Sequence, residues 1–293
     1  MGMGILIILP LLAIAWLTLS YSEVGMAQDI GIQYPGLTAG DYSSVPQSVI
    51  DNAVKMATEL VGDSQKKLQN IVDQLLATYV EAKDRDFIIV FNPGGWGWNI
   101  TRASGWGSIL DGIKAQLESQ GYQTLVFNYR RTSSGVTGVI REFFEAATSY
   151  PKKARDLATR IQFLTNNFPN LRVIITGEST GTVISDKTMG ILKNDPRVYS
   201  IQTGTPFWHK PSALDRTLLM NTNGATIDTF SYGDIPAVVW ATVKSCFGIS
   251  SPDDKPGNIL LWLKAPGHDY SWQYPGVYNG VVNFIKKNFG KDN

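Results

Sequence analysis

Apolar side chains recur along this chain in two rhythms, and the change from one to the other divides it. Between Ser44 and Tyr79 they fall at helical spacing: Val49, Ile50, Ala53, Val54, Ala57, Leu60 and Val61, then, after a break at Gly62-Asp63, Leu68, Ile71, Val72, Leu75, Leu76 and Tyr79. Each set makes one stripe of an amphipathic helix. The pair predicts a helical hairpin, opened at Ser44-Val45-Pro46 by a capping serine and a first-turn proline. Its stripes are expected to face the main domain rather than a partner or a membrane. From Asp86 onward, short unbroken apolar runs alternate with helical stretches. Strands are predicted at Phe87–Phe91, Tyr122–Tyr129, Leu171–Thr176, Val198–Gln202, Ala225–Tyr232 and Ile259–Lys264. Helices are predicted at Ile109–Ser119, Ala154–Phe168 and Thr182–Leu192, with a closing helix around Val281–Ile285. Unbroken apolar strands separated by helices predict an α/β fold, a mostly parallel central sheet covered by helices on both faces.

The amino terminus breaks both rhythms. Gly4 to Ser20 reads GILIILPLLAIAWLTLS, with no charge. Such a run reads as a signal peptide, with small residues at Gly25 and Ala27 before a cut, or as a retained membrane anchor through residues 5–21, a buried core helix being the less favoured alternative. The first two readings place the rest of the chain on a membrane or outside the cytosol. Residues 28–43, containing Gly, Tyr and Pro, read as an extended tether. The expected organisation is therefore 1–27 signal peptide or anchor, 28–85 tether and helical hairpin, and 86–293 the main α/β domain.

Composition narrows the chemistry. The 293 residues carry 26 Lys and Arg against 25 Asp and Glu, a net charge of +1, so no global field recruits nucleic acid. One cysteine, Cys246, excludes a disulfide within the chain and a multi-Cys metal site. The two histidines, His209 and His268, exclude a His-rich metal centre and shorten the search for a catalytic imidazole. No metal or organic cofactor is implied. A phosphate-cradling G-x-x-x-x-G-K sequence is also missing.

One motif carries a reaction. Gly177-Glu178-Ser179-Thr180-Gly181 is a G-x-S-x-G sequence set between the β-branched run LRVIIT and a helix. That strand–turn–helix context is what a nucleophile elbow needs: a serine at the apex of a sharp turn, glycines that let strand and helix approach, and a helix amino terminus aimed at a developing oxyanion. On these residues the chain resembles the α/β-hydrolase superfamily from about Asp86 to its end, and RVIITGESTGTVISDKT is most similar to serine lipases and esterases.

The resemblance implies an order of nucleophile, acid, histidine. Ser179 would be the nucleophile. His268, in APGHDY just past ILLWLK, would be the general base, and His209, in PFWHKP, is its only rival. No Glu follows Glu178, so the acid must be an aspartate. Asp234, in Tyr232-Gly233-Asp234-Ile235-Pro236, is the expected acid. Asp228 and the Asp253-Asp254 pair remain alternatives, Asp228 being disfavoured because it falls inside the expected strand ATIDTFSY. Thr180 N–H and a donor from Asn92-Pro93-Gly94-Gly95-Trp96-Gly97-Trp98, namely Gly95 or Trp96, would form the oxyanion hole. That loop departs from the His-Gly-Gly-Gly form of some lipases. The implied activity is cleavage of a carboxylic ester through an acyl-enzyme, with a small-molecule or lipid acyl ester as substrate. Thioesterase, peptidase and acyltransferase share the same intermediate, and a non-catalytic binding module on the same fold is the rival from outside enzymology. Trp96, Trp98, Trp106, Phe207, Trp208, Tyr270 and Trp272 are expected to ring the site. Residues 132–150 would form either a lid or an ordinary covering helix, and residues 206–224 a small cap.

Overall fold

The computed structural model describes residues 44–62, 64–94, 104–129, 150–249, 257–259 and 263–290. Among the described residues, helices α1 (Gln47–Val61) and α2 (Gln65–Ala82) come first, then β1 (Phe87–Asn92), α3 (Ser104–Glu118), β2 (Thr124–Asn128), α4 (Pro151–Asn167), β3 (Arg172–Glu178), α5 (Thr180–Ile191), β4 (Val198–Thr203) and β5 (Thr217–Met220). Helix α6 (Ile235–Cys246), the short strands β6 (Gly257–Asn258) and β7 (Lys264–Ala265), and α7 (Pro275–Phe289) follow.

Among the described residues the main sheet has five strands in the order β2-β1-β3-β4-β5, and every neighbouring pair is parallel. All of β1 is buried, because helices cover both faces and each successive side chain enters one core or the other. Ile88 and Val90 of β1, with Val173 and Ile175 of β3, pack under α4, α5 and the hairpin. Phe87, Ile89 and Phe91, with Ile174 and Ile201, pack under α3 and α7. Val49, Ala53 and Ala57 of α1 and Val72, Leu75 and Leu76 of α2 join the first of these cores, so the hairpin stripes face the main domain. Full burial of a Val or Leu side chain contributes about 1.5–3 kcal/mol each. The architecture is the expected α/β one, a parallel central sheet with helices packed on both faces.

Two predicted strands differ from the structure. The fifth strand is Thr217–Met220, within the stretch expected to be a cap, whereas Ala225–Tyr232 is a loop with a single bridge between Thr222 and Ile227. Asn223 and Gly224 cause this: the Asn223 carboxamide accepts the N–H groups of Ala225 and Thr226, and Gly224 takes φ +87°, so the chain turns before any ladder can extend. Of the predicted strand Ile259–Lys264, residues 260–262 lie outside the described residues, and Lys264 belongs to β7, which pairs antiparallel with β6 apart from the main sheet. The signal or anchor at 1–27, the tether at 28–43 and most of the lid stretch 132–150 lie outside the described residues. None of the described helices is long and apolar enough to cross a membrane.

Strand order fixes where a site can form. From β1 the chain moves outward to β2, while β3 lies on the other side of β1. The helices that follow β1 and β3 pack on opposite faces of the sheet, and the carboxyl ends of two such strands are where a parallel α/β sheet accommodates a site. Ser179 follows β3 at that point.

Candidate active site

Ser179 alone makes the turn between β3, ending at Glu178, and α5, starting at Thr180. Its φ of 50° and ψ of −123° put a residue with a Cβ in the left-handed region, a strain of about 1–3 kcal/mol. The neighbourhood holds it there. Ser179 N–H donates to Thr203 O of β4 at 3.0 Å, and Thr182 N–H and Oγ1 donate to Ser179 O at 2.9 and 2.6 Å. Both motif glycines are required by space. A Cβ on Gly181 would lie 2.2 Å from Asn92 O, and one on Gly177 would lie 2.7 Å from Ser185 Oγ. Ser179 is buried, and its Oγ has no hydrogen-bond partner among the described residues.

The imidazole of His268 stands at the same rim. Thr203, which accepts from Ser179, is followed by Gly204, and a Cβ there would lie 2.7 Å from His268 Cε1 and 3.0 Å from Nδ1. Gly204 has φ +65°, so this position needs glycine both for conformation and for space. His268 Nδ1 is 2.8 Å from Asp228 Oδ2. With the carboxylate accepting, the proton sits on Nδ1 and the lone pair on Nε2.

The aspartate on this imidazole is Asp228, not Asp234. Asp234 is exposed at the N-cap of α6, where its Oδ1 accepts Ala237 N–H at 3.1 Å, the ordinary work of an aspartate before Ile-Pro. Asp228 is fully buried. Its Oδ1 accepts the N–H groups of Phe230 and Ser231 at 3.0 and 3.1 Å, and its Oδ2 accepts Ser231 Oγ and Tyr270 OH, both at 2.8 Å, besides His268. Burial alone would raise its pKa, but the hydrogen bond and charge of His268, the Tyr270 hydroxyl and the Ser231 N–H outweigh it, and the carboxyl titrates below its usual range. Burial and the adjacent Asp228 charge push Tyr270 far above the usual phenol range.

Two loops bring the Asp228 carboxylate and the His268 imidazole together. Thr229 N–H and Oγ1 both donate to Pro266 O, at 2.9 and 3.0 Å, and Asn223 Nδ2 donates to Asp269 O at 3.0 Å. Gly267, at φ +80°, lets the histidine loop lie against the other: a Cβ there would meet Ile227 O at 2.2 Å.

The remaining predicted residues divide. Thr180 is the first residue of α5, at the positive end of the helix dipole. Gly95 and Trp96 lie outside the described residues, as do Trp98 and the alternative acids Asp253 and Asp254. Their neighbour Gly94 does reach the elbow, since a Cβ on it would lie 3.0 Å from Ser179 Cβ. Trp106 is a core residue that donates Nε1–H to Thr203 Oγ1 at 3.0 Å, and Trp272 packs over Gly112 of α3 and on Tyr278. Phe207 and Trp208, each about half exposed, do rim the site. Both meet Phe230 edge-on, and Phe230 meets the His268 ring at 5.1 Å between centroids. His209 is paired elsewhere, with Asp186 on α5. Gly204 was not expected as a site residue, and Tyr270 was expected only as one of the aromatics ringing the site, not as a partner of the aspartate. The tyrosine stands two residues after the histidine, but only the fold reveals its carboxylate partner.

Among solved structures, the chain is similar to a cutinase of Trichoderma reesei determined in complex with a C11Y4 phosphonate inhibitor, at 13% identity and a TM-score of 0.40, covering 84% of this chain and 94% of that one. It is also similar to a cutinase-like protein from Cryptococcus sp., at 14% identity and a TM-score of 0.42, covering 71% of this chain and 96% of that one. No protein-family model matches the sequence, and no curated protein matches it. Likeness this distant assigns no residue a role, so the chemistry rests on the geometry of Ser179, His268 and Asp228.

Proposed function

We propose that this protein is a serine hydrolase that cleaves a carboxylic ester through an acyl-enzyme. Ser179 is the nucleophile, His268 the general base and acid, and Asp228 the carboxylate that orients the imidazole. The observation that carries this reading is the buried Asp228 carboxylate on His268 Nδ1 at the rim where the strained elbow serine has no other hydrogen-bond partner among the described residues.

In the first half-reaction, Ser179 Oγ attacks the ester carbonyl and its proton passes to His268 Nε2. The transfer needs the two atoms within about 2.6–3.2 Å, an approach that often tightens only when substrate binds. Negative charge on the former carbonyl oxygen is met by Thr180 N–H at the head of α5 and by a backbone donor from the Gly94-Gly95-Trp96 segment. The tetrahedral intermediate collapses, the C–O bond to the alcohol breaks, and the alcohol takes the proton from Nε2. Water then attacks the acyl-Ser179 ester, gives its proton to Nε2, and the acid leaves as Ser179 recovers its hydrogen. Asp228 stays ionised throughout and stabilises each transient imidazolium. The aromatic rim of Phe207, Trp208 and Phe230 supports an apolar ester over a peptide. The uncharged run Gly4–Ser20 supports action outside the cytosol, with the mass of the mature chain distinguishing a cut leader from a retained anchor.

A fluorophosphonate probe and a panel of p-nitrophenyl, thioester and peptide substrates test the proposal. Wild-type protein is expected to be labelled and to prefer the esters, and Ser179→Ala to lose both labelling and turnover. Folded wild type that takes no label and turns over none of these substrates would favour a binding module instead.

A further inference from the structure

The second histidine is also held by a buried carboxylate, in an arrangement the proposed reaction does not use. Asp186 lies on α5, the helix that Ser179 begins, and both Asp186 and His209 are largely shielded from solvent. Asp186 Oδ2 is 3.0 Å from His209 Nε2 and accepts Ser212 Oγ at 3.3 Å, while Oδ1 accepts Ser212 N–H at 2.9 Å. Although Ser, His and Asp meet here, this is not a second catalytic centre. The carboxylate is the hub, and the imidazole spends on it the nitrogen that would have to serve a nucleophile.

From this geometry we infer that His209 and Asp186 are positioning residues that select the ester by fixing the aromatic rim of the site. His209 follows Phe207 and Trp208 directly, and its own N–H donates back to Pro206 O at 2.9 Å, closing a tight turn around the two rings. Those rings are about half exposed, so packing alone does not hold them. The carboxylate clamp ties their loop to α5, which also carries the elbow. The rim is thereby held at a set distance from Ser179, with Trp208 and Phe230 in edge contact at 5.3 Å. A wall fixed this way touches a long acyl chain and does not reach a short one. The clamp thus sets chain-length preference and leaves the bond-making atoms alone. This inference rests on the proposed hydrolase reading.

The test compares p-nitrophenyl acetate with p-nitrophenyl decanoate. His209→Phe keeps the ring shape and removes the donor. It is expected to raise KM for the decanoate about tenfold, leave KM for the acetate within about twofold, and change kcat little for either. His209→Gln, whose amide can donate to Asp186, is expected to restore the wild-type ratio. Trp208→Ala should raise the decanoate KM similarly, and the double variant His209→Phe/Trp208→Ala should add nothing beyond either single change, because both act through one wall. Equal rises in KM for the two esters, a fall in kcat for both, or full additivity would overturn the clamp. Should His209→Phe fail to fold, Ser212→Ala carries the same test, a smaller chain-length-dependent rise supporting the clamp and an unchanged ratio overturning it. Turnover of both esters that persists in Ser179→Ala would instead overturn the hydrolase reading.

Discussion

Asp228→Asn tests the proposed acid most sharply, because the change keeps the side-chain shape and alters only which atoms donate. The Phe230 and Ser231 N–H groups on Oδ1 can only donate. They hold the remaining carbonyl of the asparagine on their side, so the new NH2 group lands where Oδ2 faced His268, Tyr270 and Ser231. The two hydroxyls can rotate to accept from it, but the imidazole can accept only by giving up its proton at Nδ1. The ring is then trapped with hydrogen on Nε2, the atom that must receive the serine proton. Loss of that tautomer, and of the charge that stabilises the imidazolium, is expected to lower kcat/KM about 10³–10⁴-fold, or about 4–5.5 kcal/mol at 1.36 kcal/mol per decade.

Initial rates on a p-nitrophenyl ester measure the effect, with thermal unfolding of the same samples as the folding control. Asp234→Asn is the matched comparison. Asparagine caps a helix as well as aspartate, so activity should stay within about twofold, and Asp234→Ala should cost about 0.5–2 kcal/mol of stability with kcat/KM unchanged. Acid titration gives a second readout. The folded-state pKa of Asp228 is lowered, so its carboxylate stabilises the fold above the unfolded value of about 3.9 and that contribution is lost as pH falls through the lower folded value. The wild-type Tm should therefore drop through this window more steeply than that of Asp228→Asn. A fully active Asp228→Asn, or an inactive Asp234→Asn, would refute the assignment.

Two glycine substitutions probe the same rim and its supporting helix. Gly204→Ala places a methyl 2.7 Å from His268 Cε1 at a φ of +65°. The backbone cost is about 1–2 kcal/mol, and displacing the imidazole should lower kcat about a hundredfold, measurable by steady-state kinetics on protein that circular dichroism shows to be folded. Gly190→Ala, within α5 where an added Cβ meets nothing within 4 Å, should stabilise the protein by about 0.5–1 kcal/mol, seen as a higher Tm with unchanged activity.

The parts of this protein that were legible in its sequence are those fixed by local rules. The predicted strands Phe87–Phe91 and Leu171–Thr176 announce themselves through the β-branched and aromatic runs Phe87–Phe91 and Val173–Thr176, and the hairpin stripes match the buried Val49, Ala53, Leu75 and Leu76. The sharp turn at Ser179 was legible because Gly177 and Gly181 fall at the offsets that let strand and helix approach. The aspartate that pairs with His268 was not. Reading Ala225–Tyr232 as a strand turned Asp228 toward a helix layer and left Asp234 as the first loop aspartate. The Asn223-Gly224 pair was the available signal against that strand, since it makes a turn and the residues after it are then free to coil. The other error has the same root: Thr217–Met220, only four residues long, lacked the length to compete as an edge strand. Gly204, and the carboxylate partner of Tyr270, lay beyond sequence reasoning, because what defines them is an imidazole and a carboxylate brought up from distant loops.

The chain's two histidines show why residue type and partner together still do not define a role. Each sits against a buried aspartate, at 2.8 Å for His268 and 3.0 Å for His209. The difference is the ring nitrogen engaged. His268 gives Nδ1 to Asp228, a nitrogen close to its own backbone, so the distal Nε2 keeps its lone pair and projects away from the loop that anchors it. His209 gives the distal Nε2 to Asp186, so the far end of the ring is tethered and the imidazole becomes a strut between a loop and a helix. The first arrangement can pass a proton to a third group, whereas the second spends its reach on the carboxylate itself. Exchanging the two roles would require turning each ring end for end. The main-chain positions forbid this, because His268 is pressed against Gly204 and His209 is bound into the Pro206 turn. The backbone that positions each ring therefore decides which imidazole can act as a base and which can only hold the rim in place.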